Sequence, residues 1–296
     1  MKVLILGGEG MLGHKAYQVL SQDLDVYATF LNFDEKLKRT GIFNEEKIFD
    51  KIDAFNFESI KKVINAVKPN YVFNCIGIIK QVKDSLSSKT IIYLNSLLPH
   101  LLAEYGPAAG YRLIHVSTDC IFSGKKCDYT EEDVSDAVDL YGRTKYLGEV
   151  EYDNNLTLRT SIIGRELFTS VSLVEWFLSQ NNKTINGYAN AIYTGLTTIA
   201  FCREVKRIIT EYPNLSGLYH VSTFKIDKFQ LLTLINKIYK LNIEIIKYED
   251  FYCDRSLDSS KYQKTANYEP PNWEEMVNEM YRDKTSYQDW RNYGFK

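Results

Sequence analysis

Hydrophobic residues along this chain fall into short unbroken runs separated by amphipathic stretches. Val3-Leu4-Ile5-Leu6, Val26-Tyr27-Ala28-Thr29-Phe30, Tyr71-Val72-Phe73-Asn74-Cys75-Ile76-Gly77, Leu113-Ile114-His115-Val116 and Leu156-Thr157-Leu158-Arg159-Thr160 lack the polar alternation of a half-exposed strand. Such runs suit strands covered on both faces, as in a parallel sheet. Between them the apolar spacing lengthens to that of helices. Ala16, Val19 and Leu20 share one face, as do Ile60, Val63, Ile64 and Val67 in a helix over 55–67 that stops ahead of Pro69. Further helices are predicted over 95–105 and from Tyr141 through Leu147, Gly148 and Val150. After Thr160 the alternation weakens. Helices over 172–179, 199–209 and 228–239 flank a polar stretch at 181–198, with a strand at 218–221, a weak one at 243–247 and a last helix opened by Pro270-Pro271. The pattern predicts an α/β fold whose sheet-forming part spans 1–160. Residues 161–296 form a smaller unit, with some segments returning to the first.

The first strand runs directly into Gly7-Gly8-Glu9-Gly10-Met11-Leu12-Gly13 and then a helix. Strand, glycine turn and helix in that order make a dinucleotide site. Gly7 permits the turn, Gly10 lets a pyrophosphate approach the backbone, and Gly13 lets helix and strand pack closely. The unpaired N–H groups of Met11 and Leu12 at the helix start then face the phosphates. The second strand ends Thr29-Phe30-Leu31-Asn32, with no carboxylate before Asp34, and Lys36, Lys38 and Arg39 follow. A 2′-phosphate needs cations and no adjacent carboxylate, so this end favours NADP(H) over NAD(H). Asn74, Cys75, Ile76 and Gly77 end a central strand, and ligands lie outside the carboxyl ends of parallel strands. Asp53 precedes the helix over 55–67, either capping it or touching the adenine.

Tyr141 and Lys145 stand four residues apart, on one face of a helix. An ammonium beside a phenol lowers its pKa and makes it a proton donor near neutrality. Ser117 and Thr118 end a strand and point to opposite faces, so at most one of them serves a substrate carbonyl. His115, in the same apolar strand, reads as a packed histidine, and His14 as a residue flanking the glycine turn.

Composition narrows the field. The chain has 296 residues, 45% of them hydrophobic, enough for a large core, and a net charge of -2 gives no reason to expect nucleic acid. No apolar run is long enough to cross a bilayer. Five scattered cysteines and four distant histidines predict neither a disulfide framework nor a metal site, and fit a cytoplasmic protein with reduced thiols.

Together these motifs resemble the extended short-chain dehydrogenases/reductases that act on nucleotide sugars. The stretch Ser117-Thr118-Asp119-Cys120-Ile121-Phe122-Ser123-Gly124, then Tyr129-Thr130-Glu131, then Tyr141-Gly142-Arg143-Thr144-Lys145-Tyr146-Leu147-Gly148-Glu149, is similar to the signature of the dTDP-4-dehydrorhamnose reductase family. Arg159-Thr160-Ser161 matches its Arg-Thr-Ser, and Arg255-Ser256-Leu257-Asp258 resembles a later stretch whose arginine meets the nucleotide diphosphate. The resemblance implies a Rossmann-type doubly wound parallel sheet with a smaller C-terminal substrate-binding α/β domain, and usually a homodimer. It implies an NAD(P)-dependent oxidoreductase that reduces the C4 carbonyl of a 4-keto-6-deoxy nucleotide sugar, making a deoxysugar nucleotide for surface polysaccharide. In that reading Tyr141 donates the proton, Lys145 holds the nicotinamide ribose, Thr118 hydrogen-bonds the carbonyl oxygen, and Asp119, Arg159 and Arg255 meet the substrate. Two departures stand out: Cys120 replaces an apolar or aromatic residue, and Tyr193-Thr194-Gly195-Leu196-Thr197-Thr198 replaces Gln-x-Gly-x-Pro-Thr. An epimerase or dehydratase with bound NAD is an alternative, although Thr118-Asp119-Cys120 lacks the dehydratases' Asp-Glu pair. A regulatory subunit of the same fold is another, although such members have lost the tyrosine or lysine that this chain keeps.

Overall fold

The computed structural model describes residues 1–79 and 86–290. Its main feature is a seven-stranded sheet in which every pairing is parallel. The strands are β1 (Lys2–Leu6), β2 (Asp25–Thr29), β3 (Ile48–Phe49), β4 (Tyr71–Asn74), β5 (Arg112–Thr118), β6 (Leu156–Thr160) and, from the later half of the chain, β11 (Gly217–His220). Their order is β3-β2-β1-β4-β5-β6-β11. Succession reverses between β1 and β4, and the crevice above that reversal is where doubly wound sheets bind ligands.

The unbroken apolar runs have a physical reason. Val3, Ile5, Tyr71, Phe73 and Ile114 enter a core with helices α1 (Met11–Leu20) and α8 (Thr198–Glu211). Leu4, Leu6, Val72 and Leu113, one residue out of step, enter another with α3 (Phe57–Val67) and α5 (Leu98–Ala109). The central strands β1, β4 and β5 are therefore buried on both faces. Four-residue α2 (Glu35–Lys38) follows β2, and α4 (Ser88–Ile92) leads through a π-helical turn at Tyr93–Leu97 into α5. The helix predicted over 95–105 is thus longer, from Ser88 to Ala109. The helix predicted from Tyr141 is shorter: α6 (Leu140–Leu147) stops at Gly148, where an added Cβ would lie 1.9 Å from the Asn95 carbonyl oxygen.

Beyond β6 lie α7 (Leu173–Leu178), α9 (Lys228–Tyr239), α10 (Ser260–Ala266) and α11 (Trp273–Tyr281). The polar stretch 181–198 holds short strands β8 (Thr184–Tyr188), β9 (Ala191–Tyr193) and β10 (Leu196–Thr197). They pair with β13 (Glu244–Tyr248), with β12 (Ile226–Asp227) and β14 (Cys253–Asp254), and with β7 (Ile162–Ile163) respectively. Among the described residues no helix is long and apolar enough to cross a membrane, and none of the five cysteines forms a disulfide.

Candidate active site

The glycine turn is tightly constrained. Gly7 has φ +81°, and a Cβ there would meet Ile76 Cγ1 at 2.9 Å, which sets the turn against the end of β4. At Gly13 a Cβ would lie 2.0 Å from the Gly7 carbonyl oxygen, so only glycine lets α1 approach. Gly10 is the N-cap of α1 and brings no side-chain oxygen to it. The N–H groups at Met11 and Leu12 therefore begin the helix without a side-chain cap, while Leu12's side chain enters the core. This donor set fits a dinucleotide pyrophosphate. Asn74 ends β4, its side-chain oxygen taking the Ile76 N–H at 3.1 Å; Cys75 beside it is a packed thiol whose pKa burial raises strongly. Asp53 is exposed and accepts the Phe55 N–H at 2.9 Å; the cap of α3 is Asn56, so the capping role expected of Asp53 falls to its neighbour.

The reactive groups gather at the carboxyl end of β5. Thr118 closes the strand; its hydroxyl donates to Asp119 Oδ1 at 3.1 Å and accepts the Cys120 N–H at 3.2 Å. Asp139 caps α6, its carboxylate taking the Gly142 N–H at 2.8 Å. Gly142 in turn lets the helix start press on Cys120, where a Cβ would stand 2.3 Å from the carbonyl oxygen. That contact sets the Tyr141 phenol beside the Thr118 side chain, near enough for that side chain to favour the phenolate. One turn on, Lys145 Nζ donates to the Val116 carbonyl at 2.7 Å. A Cβ on Gly77 would stand 3.9 Å from the same nitrogen, so the end of β4 faces the ammonium across the crevice. Ser117, on the opposite face, gives its hydroxyl to Glu149 at 2.5 Å.

Electrostatics correct one expectation. The Tyr141 pKa is raised, not lowered: burial of the phenol dominates, Cys120 and the Asp119 and Asp139 carboxylates add to it, and the Thr118 hydrogen bond opposes it. Burial also lowers the Lys145 pKa to about 8, against the pull of Glu149. Asp119 is raised by burial despite Arg255, and the Cys120 thiol is pushed up to about 12. Arg255 joins this cluster from beyond β14, giving Nε to the Phe122 carbonyl at 2.7 Å and Nη1 to Cys120 Sγ at 3.5 Å.

Arg159 does not join it. Its guanidinium is 2% exposed and grips both oxygens of Glu149, at 2.8 and 2.7 Å, with His220 Nε2 at 3.2 Å. A fork so engaged and enclosed serves the interior, not a substrate phosphate. His115 is buried and kept neutral by burial and by Lys145, as a packed histidine. His14 bridges the Gly10 carbonyl and the Tyr287 hydroxyl, both at 2.8 Å. Sequence reasoning passed over Asn95. It is fully buried, exchanges hydrogen bonds with both backbone groups of Ile78 at 2.8 and 3.1 Å, and reaches Thr144 Oγ1 at 3.3 Å. Its signal was a lone amide within the apolar run Ile91-Ile92-Tyr93-Leu94-Asn95. Among the described residues no cluster of His, Cys, Asp or Glu could hold a metal ion.

A parallel sheet with a glycine turn at its reversal and a Thr–Tyr–Lys group at the next strand end defines the extended short-chain dehydrogenase/reductase class. Within that class the chain belongs to the family described as "RmlD substrate binding domain", which it matches over residues 1–286. It is 25% identical over 259 residues to the methionine adenosyltransferase 2 subunit beta of Rattus norvegicus, covering 81% of this chain and 72% of that protein. It is likewise 25% identical over 228 residues to a dTDP-4-dehydrorhamnose reductase of Aggregatibacter actinomycetemcomitans, covering 74% and 72%. Its fold is similar to that of the dTDP-4-dehydrorhamnose reductase of Bacillus anthracis in complex with NADP, with a TM-score of 0.78 at 20% identity over 96% of this chain and 99% of that one. It is also similar to UDP-glucose 4-epimerase of Thermotoga maritima, with a TM-score of 0.76 at 16% identity over 95% and 97%.

Proposed function

We propose that the protein is a nicotinamide-dinucleotide-dependent reductase of the C4 carbonyl of a 4-keto-6-deoxy nucleotide sugar, forming a deoxysugar nucleotide. The observation that carries this reading is the Tyr141 phenol beside the Thr118 side chain, one helical turn from the buried Lys145 ammonium, next to the glycine-lined crevice. A nicotinamide bound there supplies the hydride. As negative charge grows on the carbonyl oxygen, Tyr141 gives up its proton to that oxygen and the Thr118 hydroxyl donates to it. Lys145 holds ribose hydroxyls and keeps a positive charge behind the phenol. The high Tyr141 pKa makes it a donor that is fully protonated at neutral pH. Asp119 and Arg255 orient the sugar side of the site, and the Cys120 thiol, pushed up to about 12, stays a neutral part of its wall.

Similarity to the methionine adenosyltransferase subunit along 81% of the chain favours a second reading, a regulatory subunit that binds a partner enzyme. One experiment separates the two. The purified protein is given dTDP-, UDP- and GDP-linked 4-keto-6-deoxy sugars, each with NADH and NADPH, and nicotinamide absorbance is followed. Sugar-dependent oxidation of the dinucleotide is expected. Tight dinucleotide binding with no turnover on any sugar would end the reductase reading in favour of the regulatory one.

A further inference from the structure

The adenosine end of the crevice carries an arrangement that the sequence pattern did not reveal. Parallel pairing of β1 with β2 sets Leu6 opposite Thr29, and the glycine turn is fastened to that strand end. Gly8 N–H donates to the Thr29 carbonyl at 2.9 Å and Gly7 N–H to Thr29 Oγ1 at 3.3 Å. The Phe30 ring fills the space under Gly8, where a Cβ would lie 2.6 Å from Cζ. Fastened in this way, the turn sets the next residue, Glu9, at the end of β2 with its side chain exposed, and its carboxylate lies close enough to the Leu31 backbone for that amide to favour the charged form.

That place matters because folds of this kind hold the adenosine ribose at the end of the second strand, usually with an acid on the strand itself. Here the strand end has none, and the nearest later carboxylates are committed. Asp34 caps α2 by taking the Leu37 N–H at 3.0 Å, and Asp50 takes the Phe33 and Lys51 N–H groups at 2.6 and 2.8 Å. Two of the three cations that favoured NADP(H) are also engaged. Lys36 Nζ sits over the Phe168 ring at 4.1 Å and Lys38 pairs with Glu35 at 3.0 Å, while Arg39, whose backbone N–H caps the far end of α2, has an exposed side chain.

We propose that Glu9 is the residue that chooses the cofactor, accepting a hydrogen bond from the 2′-hydroxyl of NAD(H) and repelling the 2′-phosphate of NADP(H). The acid reaches the ribose from the glycine turn rather than from the second strand. This rests on the dinucleotide reading of the crevice. It reverses the preference expected from the sequence, where the lysines counted as free and the acid in the turn was not counted.

Binding decides it without catalysis. Full-length protein is titrated with NADH and with NADPH, following nicotinamide fluorescence, for the native chain, Glu9→Gln and Glu9→Lys. The native chain should bind NADH at least about tenfold more tightly, since a like-charge contact discriminates strongly. Glu9→Gln should narrow the ratio, and Glu9→Lys should invert it by tightening NADPH. Native protein that binds NADPH as well as or better than NADH overturns the proposal, and so does a ratio that neither substitution moves. Native protein that binds neither dinucleotide overturns both this proposal and the reading beneath it.

Discussion

Lys145 keeps its proton at neutral pH by a narrow margin. Burial has brought its pKa to about 8, while the Tyr141 phenol has moved the opposite way for the same reason. The two therefore lose their protons in the reverse of their usual order. As pH rises through about 8, Lys145 becomes neutral first, and in the proposed reaction the positive charge that balances the developing alkoxide would disappear while Tyr141 is still protonated. The kcat/KM of sugar reduction should therefore fall on an alkaline limb near pH 8, and that limb belongs to lysine. A profile flat to pH 10 would contradict it. Tyr141→Phe removes the donor without disturbing the pyrophosphate end of the site. Its kcat should drop by about 100- to 1000-fold, with the dinucleotide Kd, read by fluorescence titration, within a few-fold of native. Arg159 makes the opposite case. Held by Glu149 with side-chain exposures of 3% and 8%, it is expected to act on stability. Arg159→Met leaves a buried carboxylate unpaired and should cost about 3–5 kcal/mol in urea unfolding. The KM of whatever substrate is turned over should scarcely change.

The element that positions Lys145 is α6, and its position is set by a helix distant in sequence. The π-helical turn at Tyr93–Leu97 turns Asn95 inward, and Gly148 at the end of α6 packs its bare Cα against the Asn95 carbonyl. Ser96 Oγ donates to the Thr144 carbonyl at 2.8 Å and ties the two helices again. Gly148→Ala has no room for its methyl group. It should force α6 away at a cost of about 1–3 kcal/mol and displace Lys145, lowering kcat by roughly 10- to 100-fold while the glycine turn still binds dinucleotide. Retained kcat with an unchanged melting temperature would show that the contact is not fixed. This pairing also shows which elements were readable. β1, β4 and β5 announced themselves as unbroken apolar runs, and α1 and α3 by an apolar face long enough to set a period. The glycine turn and the Tyr141-to-Lys145 spacing were equally plain, being local. Two-residue strands such as β3, β12 and β14 are too short to show a period, and they exist only because a longer neighbour lends them hydrogen bonds. Asn95 was hidden because the π turn, which aims it inward, depends on α6.

At the scale of the whole molecule, the later chain returns to the first half twice, once at the sheet edge and once along α1. β11 extends the main sheet beside β6. The segment after α11 lies along α1, the helix that begins at the glycine turn. Lys15 of that helix is 4% exposed and reaches Asp283 at 2.6 Å, Gln18 Oε1 at 2.6 Å and Thr285 Oγ1 at 3.3 Å, one residue along from the His14–Tyr287 contact. No sequence pattern marks a pairing of residues 268 positions apart. The Asp283 carboxyl is held below its usual pKa by Lys15 against the cost of burial, and burial lowers the Lys15 pKa against the pull of Asp283. Such a pair stabilises little compared with an apolar one, but losing one partner strands the other. Asp283→Asn should therefore destabilise the whole protein by about 3 kcal/mol and lower the melting temperature by roughly 10 °C in a circular-dichroism melt. Lys15→Met combined with Asp283→Leu should recover most of that loss, because no charge is left uncompensated. If Asp283→Asn melts with the native protein, the C-terminal segment does not hold α1, and the glycine turn keeps its shape from the sheet alone.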